Sequence, residues 1–217
     1  MDGVRLQSLI NRGMATSASK IGLSHAHYRP SGPLAPANAL PSLPASFDAN
    51  DYRYSKPSLY GKATWTALLD GARTAVGDYL VGPTGSTWFL AAEQPHLPIV
   101  AVSCNATLTL RRPHSSAAVG ALPYGGDIAS DEDLVASRWP ASVLTKGRGD
   151  KGDVQLPGNV RTLWVEVLLP AIPAASVLFA DVFTDDAGQR MKVSSAELTD
   201  MGWRLLCLVA VGRPPGA

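Results

Sequence analysis

The two cysteines could carry chemistry, because a free thiol can act as a nucleophile, a redox centre or a metal ligand. Cys104 and Cys207 are the only cysteines among the 217 residues, so they form neither a disulfide framework nor a metal-binding spacing. Both lie in apolar, strand-forming runs, which favours small buried side chains over reactive thiols. We therefore predict a structural role for both, and either a reducing compartment or one in which these thiols are simply buried.

Two histidines, His25 and His27, lie two positions apart and could grip a metal ion from one face of a strand. His96 and His114 are isolated elsewhere, and no acidic or thiol ligand lies close to the pair in sequence. Surface-loop positions are the favoured interpretation. We predict no metal and no cofactor.

The aspartates Asp181, Asp185 and Asp186 could form a carboxylate cluster for acid–base chemistry or calcium binding. Asp shortly before Gly is also ordinary hairpin chemistry, because its side chain bonds the local backbone and tolerates the turn dihedrals. We favour the turn. A hydrolase that uses Cys104 or these aspartates is the least favoured of three hypotheses for the function of the chain.

Two short motif matches have no supporting context. Arg148-Gly149-Asp150 matches an integrin-type tripeptide, which occurs often by chance, and Asn105-Ala106-Thr107 matches a glycosylation acceptor inside a predicted strand. The chain contains no phosphate-binding loop, dinucleotide fingerprint or nucleophile elbow. The sequence thus predicts a protein that is not an enzyme.

The composition bears on the class of partner. Hydrophobic residues make up 46% of the chain and charged residues 17%, which favours a surface partly covered by a partner. The formal net charge of +1 provides no global attraction to nucleic acid or anionic membrane. No apolar run reaches the length of a membrane span, and we expect no secretory signal at the amino end.

The element nearest the amino end is a predicted amphipathic helix. Apolar side chains recur at helical spacing from Leu6 through Ile10 and Met14, Asp2 is a suitable N-cap, and Gly22 suits a left-handed C-cap. We predict a helical arm over residues 1–29. Its apolar stripe is a candidate surface for a neighbouring subunit, although packing on its own lobe is at least as common.

A proline-rich segment follows at residues 30–56, with Pro30, Pro33, Pro36, Pro41 and Pro44 at short intervals. Proline removes backbone donors and biases its neighbours towards extended conformations. This composition predicts a semi-rigid extended strap between the helix and the β-rich remainder.

A sequence stretch at 77–92, GDYLVGPTGSTWFLAA, recurs in diverged form at 180–195 as ADVFTDDAGQRMKVSS. In both, an Asp opens an apolar run, a turn ends in Gly, and a second strand-forming run follows, which predicts two hairpins. Continued without a gap, the alignment places Cys104 on Cys207. An internal duplication is one interpretation, and the general likeness of hairpins is the other.

Strand alternation assigns faces within the first of these hairpins. Trp88 and Leu90 are expected to face the core, whereas Phe89 lies on the outer face at the position of Lys192 in the second copy. A Phe where the other copy has a Lys makes Phe89 a candidate partner-facing residue.

The predicted fold is mainly β, with two similar barrel- or sandwich-like lobes preceded by the amphipathic helix and the strap. We expect the first lobe at 57–113, a long connector or excursion at 114–158, and the second lobe at 159–217. Each half offers about four short strands, which is marginal for independent stability, so the lobes are expected to pack together.

Three stretches carry a resemblance: LINRGMATSASKIGLSHAHYRPSGP, GDYLVGPTGSTWFLAAEQPHLPIVAVSCN and SRWPASVLTKGRGDKGDVQLPG. They resemble uncharacterised structural proteins of tailed bacteriophages and prophages. The carboxy-terminal pattern, a D-D-x-G turn and then an apolar strand after Gly-Trp, is similar to the small β-barrels of phage head–tail joining and tail-completion proteins. This chain is longer than the simple joining proteins, which fits a duplication.

The resemblance implies a non-enzymatic virion protein that forms part of a ring at the head–tail junction or short tail and is assembled in the host cytoplasm. Its implied partners are copies of itself and portal, tail or fibre proteins, with no membrane and with nucleic acid at most incidental. The alternative is a fibre-attachment adaptor or a receptor- or glycan-binding module, in which exposed aromatics such as Phe89, Tyr124 or Trp139 contact the ligand. The candidate partner-facing residues are Leu6, Ile10, Met14, Phe89, Trp139 and Arg148.

Overall fold

A computed structural model describes residues 2–48, 63–114, 132–145 and 163–209 of the chain. These residues form an α-helix followed by two closed six-stranded β-barrels, which confirms the predicted mainly β fold with two lobes behind an N-terminal helix. The helix is α1 (Gly3–Ile21). The first barrel consists of β1 (Leu23–Tyr28), β2 (Ala39–Asp48), β3 (Thr64–Leu68), β4 (Tyr79–Val81), β5 (Thr87–Ala92) and β6 (Ile99–Cys104). The second consists of β7 (Ala106–Pro113), β8 (Glu132–Thr145), β9 (Trp164–Leu169), β10 (Val182–Thr184), β11 (Arg190–Thr199) and β12 (Gly202–Val209).

The helix α1 begins and ends where the sequence predicts. The Asp2 side chain accepts a hydrogen bond from the Val4 N–H (3.4 Å), and the Gly22 N–H donates to the Ala18 carbonyl (2.8 Å). Gly22 is extended, with φ −82°, so the predicted left-handed cap is wrong. Its role is steric, because a Cβ there would lie 2.9 Å from the backbone of Ala45 in β2.

Residues predicted as a proline-rich strap supply a barrel strand instead. β2 occupies 39–48 and pairs with both β1 and β3. Its alternating Leu43 and Ala45 are buried in the barrel. The register against β1 shifts opposite Pro41, as expected where proline interrupts a ladder. Extended backbone was predicted correctly, but a strap and a strand share that conformation, and it is the pairing with β1 and β3 that makes this segment a strand.

The lobe boundary lies at Asn105, rather than in the predicted connector at 114–158. Asn105 follows β6 directly, and its side chain makes two hydrogen bonds to the backbone of Val143, from Nδ2 to the carbonyl (2.8 Å) and to Oδ1 from the N–H (2.7 Å). The strands of the first barrel, β1 to β6, therefore all precede Asn105, and β7 and β8 belong to the second barrel.

Both barrels have the same strand order. The neighbours run β1-β2-β3-β6-β5-β4 in the first and β7-β8-β9-β12-β11-β10 in the second. One face of each strand fills the barrel interior, and Trp88 and Leu90 face inward as predicted. The buried apolar side chains inside the first barrel are Leu43, Ala45, Ala67, Leu69, Leu80, Trp88, Leu90, Ile99 and Ala101.

The two predicted hairpins correspond bond for bond. Asp78 and Asp181 lie 103 positions apart, and the turns after them both end in a Gly with positive φ, Gly85 (+83°) and Gly188 (+78°). Three backbone N–H to carbonyl hydrogen bonds match. In the first hairpin they run from Gly77 to Leu90, from Leu90 to Asp78 and from Gly85 to Gly82. In the second they run from Ala180 to Val193, from Val193 to Asp181 and from Gly188 to Asp185. The likeness seen in the sequence is thus a structural repeat.

Beyond the hairpins the two copies fall out of register. Leu90 pairs with Ala101, eleven positions later, whereas Val193 pairs with Cys207, fourteen positions later. An odd difference exchanges the two faces of a strand. Cys207 consequently points into the second barrel, while Cys104 lies on the outer face of β6 towards that barrel, so the predicted equivalence of the two cysteines is wrong.

Candidate functional site

A buried carboxylate, Asp78, is the centre of the most polar cluster in the first barrel. It sits just before β4, and its two oxygens accept hydrogen bonds from Arg29 Nε (2.8 Å) and Nη2 (2.7 Å). The His27 Nε2 atom lies 2.8 Å from Oδ2, and the Ala75 N–H donates to the same oxygen (2.9 Å). Burial raises the pKa of Asp78, but the Arg29 and His27 hydrogen bonds outweigh it and hold that pKa below the ordinary value. The carboxylate therefore stays ionised.

The second barrel contains the matching pair. Asp181 is buried just before β10 and accepts hydrogen bonds from Arg112 Nε (2.9 Å) and Nη2 (2.9 Å), and from the Leu178 N–H (2.8 Å). Arg112 also donates to the Ser176 carbonyl (2.8 Å). Both barrels have this ion pair at equivalent positions, where it joins the start of β4 or β10 to the end of the neighbouring strand, β1 or β7.

The histidines distinguish the two clusters. Strand pairing places His27 opposite Leu80 in the first barrel and Leu110 opposite Phe183 in the second, so Leu110 takes the place of His27. A His–Asp pair can serve as a general base. His27, however, is only 2% exposed, and no hydroxyl or thiol of the described residues is hydrogen-bonded to its ring. The cluster has the geometry of a buried structural network.

His25 is also buried, with its Nδ1 atom 2.7 Å from the Leu23 carbonyl and its ring edge-on to Phe47. The predicted surface-loop positions for His25 and His27 are therefore wrong, since both lie in β1. Among the described residues, no group of three or more His, Cys, Asp or Glu side chains is arranged to hold a metal ion.

A second carboxyl near Asp78 has the opposite response to its surroundings. Glu93 follows β5 and is half-buried, and burial raises its pKa above the ordinary value, with the Asp78 carboxylate adding to the effect. The two carboxyls therefore differ in acidity, because Asp78 has cationic hydrogen-bond partners that favour its charged form.

Both thiols are difficult to ionise, although Cys207 is buried and Cys104 is partly exposed. Desolvation raises the pKa of the Cys207 thiol to about 12 and raises that of Cys104 further. Since the thiolate is the nucleophile, these positions disfavour cysteine catalysis. Asp185, for its part, has the predicted turn role: its Oδ1 accepts from the Ala187 N–H (3.0 Å) and the Gln189 N–H (2.7 Å).

The outer face that the sequence assigns to Phe89 packs on the second barrel. Phe89 and Trp139 are each 1% exposed, and Tyr79 lies edge-on to both rings. The Tyr79 hydroxyl donates to the Pro140 carbonyl (2.8 Å), and Trp139 Nε1 donates to the Pro33 carbonyl (3.1 Å). Phe89 does lie on the outer face, but its partner is within the same chain, so neither aromatic is available to an external ligand in this structure.

The remaining predicted contact residues lie on α1 or outside the residues that the structure describes. Leu6 is exposed, whereas Ile10 and Met14 are half-buried, and Met14 borders a small cavity beside Gly71 and Leu97. The helix has packed on its own barrel, against β2 and β3. Arg148 and Tyr124 lie outside the described residues.

A groove of about 700 Å³ separates α1 from two turns of the first barrel. His96, whose φ is +64°, lines the groove on the barrel side and contacts α1. Its N–H donates to Gln7 Oε1 (2.6 Å), and its Nε2 atom lies 3.2 Å from the Gly3 carbonyl. Arg12 and Asp70 line the groove with opposite charges. These contacts fix the first two turns of α1 on the barrel.

Sequence reasoning missed Arg29 and Arg112 as partners of the repeated aspartates. An ionised side chain that opens an apolar run needs a counter-ion when it is buried. Asp78 and Asp181 each open such a run. That signal could have indicated a counter-ion for each aspartate, but not which of the 19 Lys and Arg residues provides it.

The helix in the described part of the chain is not apolar enough over a sufficient length to cross a membrane. Comparison of the chain with protein-family models, curated proteins and solved structures found no match.

Proposed function

We propose that this chain is a non-enzymatic virion assembly protein of a tailed bacteriophage, which forms part of a ring at the head–tail junction or short tail. The proposal rests on the sequence resemblance together with one structural observation. Large apolar side chains are exposed on separate elements of the two barrels. On this proposal the protein is assembled in the host cytoplasm and resides in the virion neck or tail.

The exposed apolar side chains fall into separate patches. On α1 they include Val4 (76% exposed), Leu6 and Leu9; in the second barrel they include Leu178 and Phe179 (75% exposed) on one turn. A further pair lies at the tip of the β11–β12 hairpin, Leu198 and Met201. Contiguous apolar surface on a soluble protein indicates an interaction site.

A ring requires two different surfaces on each copy, one for each neighbour. The helix lies on the first barrel, and the turn and hairpin lie on the second, so one chain presents distinct surfaces that suit head-to-tail contact. The thiols, which are difficult to ionise, and the closed Asp78 network also support a non-catalytic role, because neither presents a nucleophile to a substrate.

A fibre-attachment adaptor or a receptor- or glycan-binding module is the second candidate. Its predicted aromatics Phe89 and Trp139 are buried, but Phe179 is largely exposed and Trp164 is partly so. Aromatic rings with one free face are suited to flat apolar ligands. Phe179 is the residue on which this alternative depends.

One experiment distinguishes the two proposed functions. The purified full-length chain is analysed by size-exclusion chromatography with light scattering, alone and mixed with portal, tail-tube or fibre proteins. The ring proposal expects a closed oligomer that binds portal or tail protein, and expects the double variant Leu6→Glu/Leu9→Glu to lower its mass. Phe179→Ala serves as the matched variant: loss of fibre binding with an unchanged oligomer supports the adaptor. A chain that stays monomeric and binds none of these proteins contradicts both.

A further inference from the structure

The solvent-facing side of α1 is basic as well as apolar. Arg5, Leu9, Arg12 and Lys20 are all exposed and recur at helical spacing, while α1 contains no Asp or Glu. With Leu6 beside them, they form a strip in which cations flank apolar side chains. We call the residues Arg5, Leu6, Leu9 and Arg12 the basic face.

The tip of the β11–β12 hairpin has the complementary character. Glu197 and Asp200 are exposed there next to Leu198 and Met201. Glu166 lies nearby, and these three carboxylates outnumber the cations around them. Among the described residues the cation here is Arg204, which lies opposite Glu197 and pairs with Glu166 (2.7 Å). We call residues 197–201 the acidic tip.

The acidic tip is preorganised rather than loose. Thr199 Oγ1 donates to the Gly202 carbonyl (2.8 Å) and accepts from the Met201 N–H (3.2 Å). Gly202 has φ +109°, and a Cβ there would meet the Leu169 carbonyl at 2.4 Å, so the strand leaves the tip on a fixed path. A rigid tip has less conformational entropy to lose on binding.

The charges of the two surfaces are complementary. The basic face carries two guanidinium groups, on Arg5 and Arg12, and the acidic tip carries two exposed carboxylates, on Glu197 and Asp200. Glu197 lies opposite Arg204 and Leu198 lies opposite Trp203, so these two neighbours are on opposite faces of β11. Contact between the two surfaces therefore depends on their opposite charges.

These surfaces are on different barrels of one chain, and both are exposed, so they do not cover each other within the molecule. We propose that the acidic tip of one copy docks on the basic face of α1 in the next copy, head to tail. This inference rests on the ring proposed above, for which it supplies the subunit contact. A closed ring satisfies every such pair of surfaces.

The experiment uses the full-length chain and charge reversal on each surface. Arg5→Glu/Arg12→Glu and Glu197→Lys/Asp200→Lys are each expected to weaken self-association about tenfold or more, as measured by sedimentation velocity over a range of concentrations. Arg5→Glu alone is compared with Arg138→Glu, an exposed reversal of equal charge in the second barrel, which is expected to leave association unchanged. Circular dichroism and thermal unfolding verify that each variant is folded.

Mixing the two double variants provides the decisive test. Neither variant is expected to associate with itself. In the mixture, the unchanged tip of one variant can dock on the unchanged basic face of the other, and the two reversed surfaces also carry opposite charges. The mixture and the quadruple variant are therefore both expected to regain assembly. Raised salt should weaken the wild-type oligomer because these charges lie at the surface.

The possible failures differ in meaning. An oligomer of unchanged mass in both double variants would overturn the docking but leave the ring in place, whereas a wild-type chain that is monomeric at every concentration would overturn both. If Arg5→Glu/Arg12→Glu assembles normally but loses binding to phosphatidylserine vesicles, the basic face contacts an anionic surface and the docking is wrong.

Discussion

Arg29 and Asp78 form a two-point ion pair in the first barrel, and Arg112 and Asp181 form the same pair in the second. In each pair the carboxylate is almost fully buried, while the guanidinium keeps contact with water. Such an arrangement requires only one ion to be desolvated completely, and three or more hydrogen bonds compensate that carboxylate.

Asp78→Asn is expected to lower the free energy of unfolding by about 3 kcal/mol, because charge-assisted bonds are lost and buried donors remain. Asp181→Asn should cost less, about 2 kcal/mol, since Asp181 has no histidine partner. Urea denaturation measures both. Asp186→Asn, at an exposed turn position, is the control and should change stability by about 0.5 kcal/mol or less. Equal losses in Asp78→Asn and the control would show that the pair does not stabilise the barrel.

The lowered pKa of Asp78 makes stability fall in acid. In the folded state this carboxyl remains ionised to a lower pH than in the unfolded chain, where its pKa is about 4. Its contribution is therefore complete above about pH 4 and is lost as the pH falls through the folded pKa. Unfolding measured from neutral to acid pH should show this decline, and Asp78→Asn should flatten it. An equally steep decline in the variant would assign the acid sensitivity to other groups.

Glu93→Gln is expected to have the opposite sign. Burial raises the pKa of Glu93, so the charged form is disfavoured in the folded state at neutral pH. The amide should stabilise the protein at pH 7 by on the order of 1 kcal/mol, and the gain should vanish below about pH 4, where the unfolded carboxyl is also protonated. Thermal unfolding at the two pH values tests this. Asp186→Asn, at an exposed turn position, is the control and should leave the stability at pH 7 nearly unchanged.

The contact between the barrels depends on Phe89. Phe89→Ala should cost about 3–5 kcal/mol, because it leaves a cavity against Tyr79 in a buried interface. Tyr79→Phe removes only the bond to the Pro140 carbonyl and should cost about 1 kcal/mol. Phe179→Ala, on the surface, should be nearly neutral for folding. If Phe89→Ala unfolds like wild type, the barrels are not held together by this face.

The thiols should react slowly until the protein unfolds. With the pKa of Cys207 at about 12 and that of Cys104 higher still, almost no thiolate is present near neutral pH. A disulfide reagent such as dithionitrobenzoate should label both residues only in denaturant. Rapid native labelling that disappears in Cys104→Ala would show that this thiol is accessible.

Local signals accounted for much of the fold. The cap at Asp2, the helical spacing of Leu6, Ile10 and Met14, and the repeated Asp-to-Gly hairpins were all readable because each depends on neighbours within a few residues. Strand alternation also assigned Phe89 to the outer face and Leu90 to the core correctly. These are consequences of backbone geometry, which any strand or helix must obey.

Long-range pairing decided the rest. The segment at 39–48 is extended in either interpretation, and only its partners β1 and β3 make it a barrel strand. A hairpin three residues longer in the second copy moved Cys104 and Cys207 to different faces, and Arg29 reaches Asp78 across 49 positions. The sequence by itself determined which face of each element is apolar. Tertiary structure decided what covers that face, because burial depends on contacts between residues far apart in the chain, and no local spacing records them.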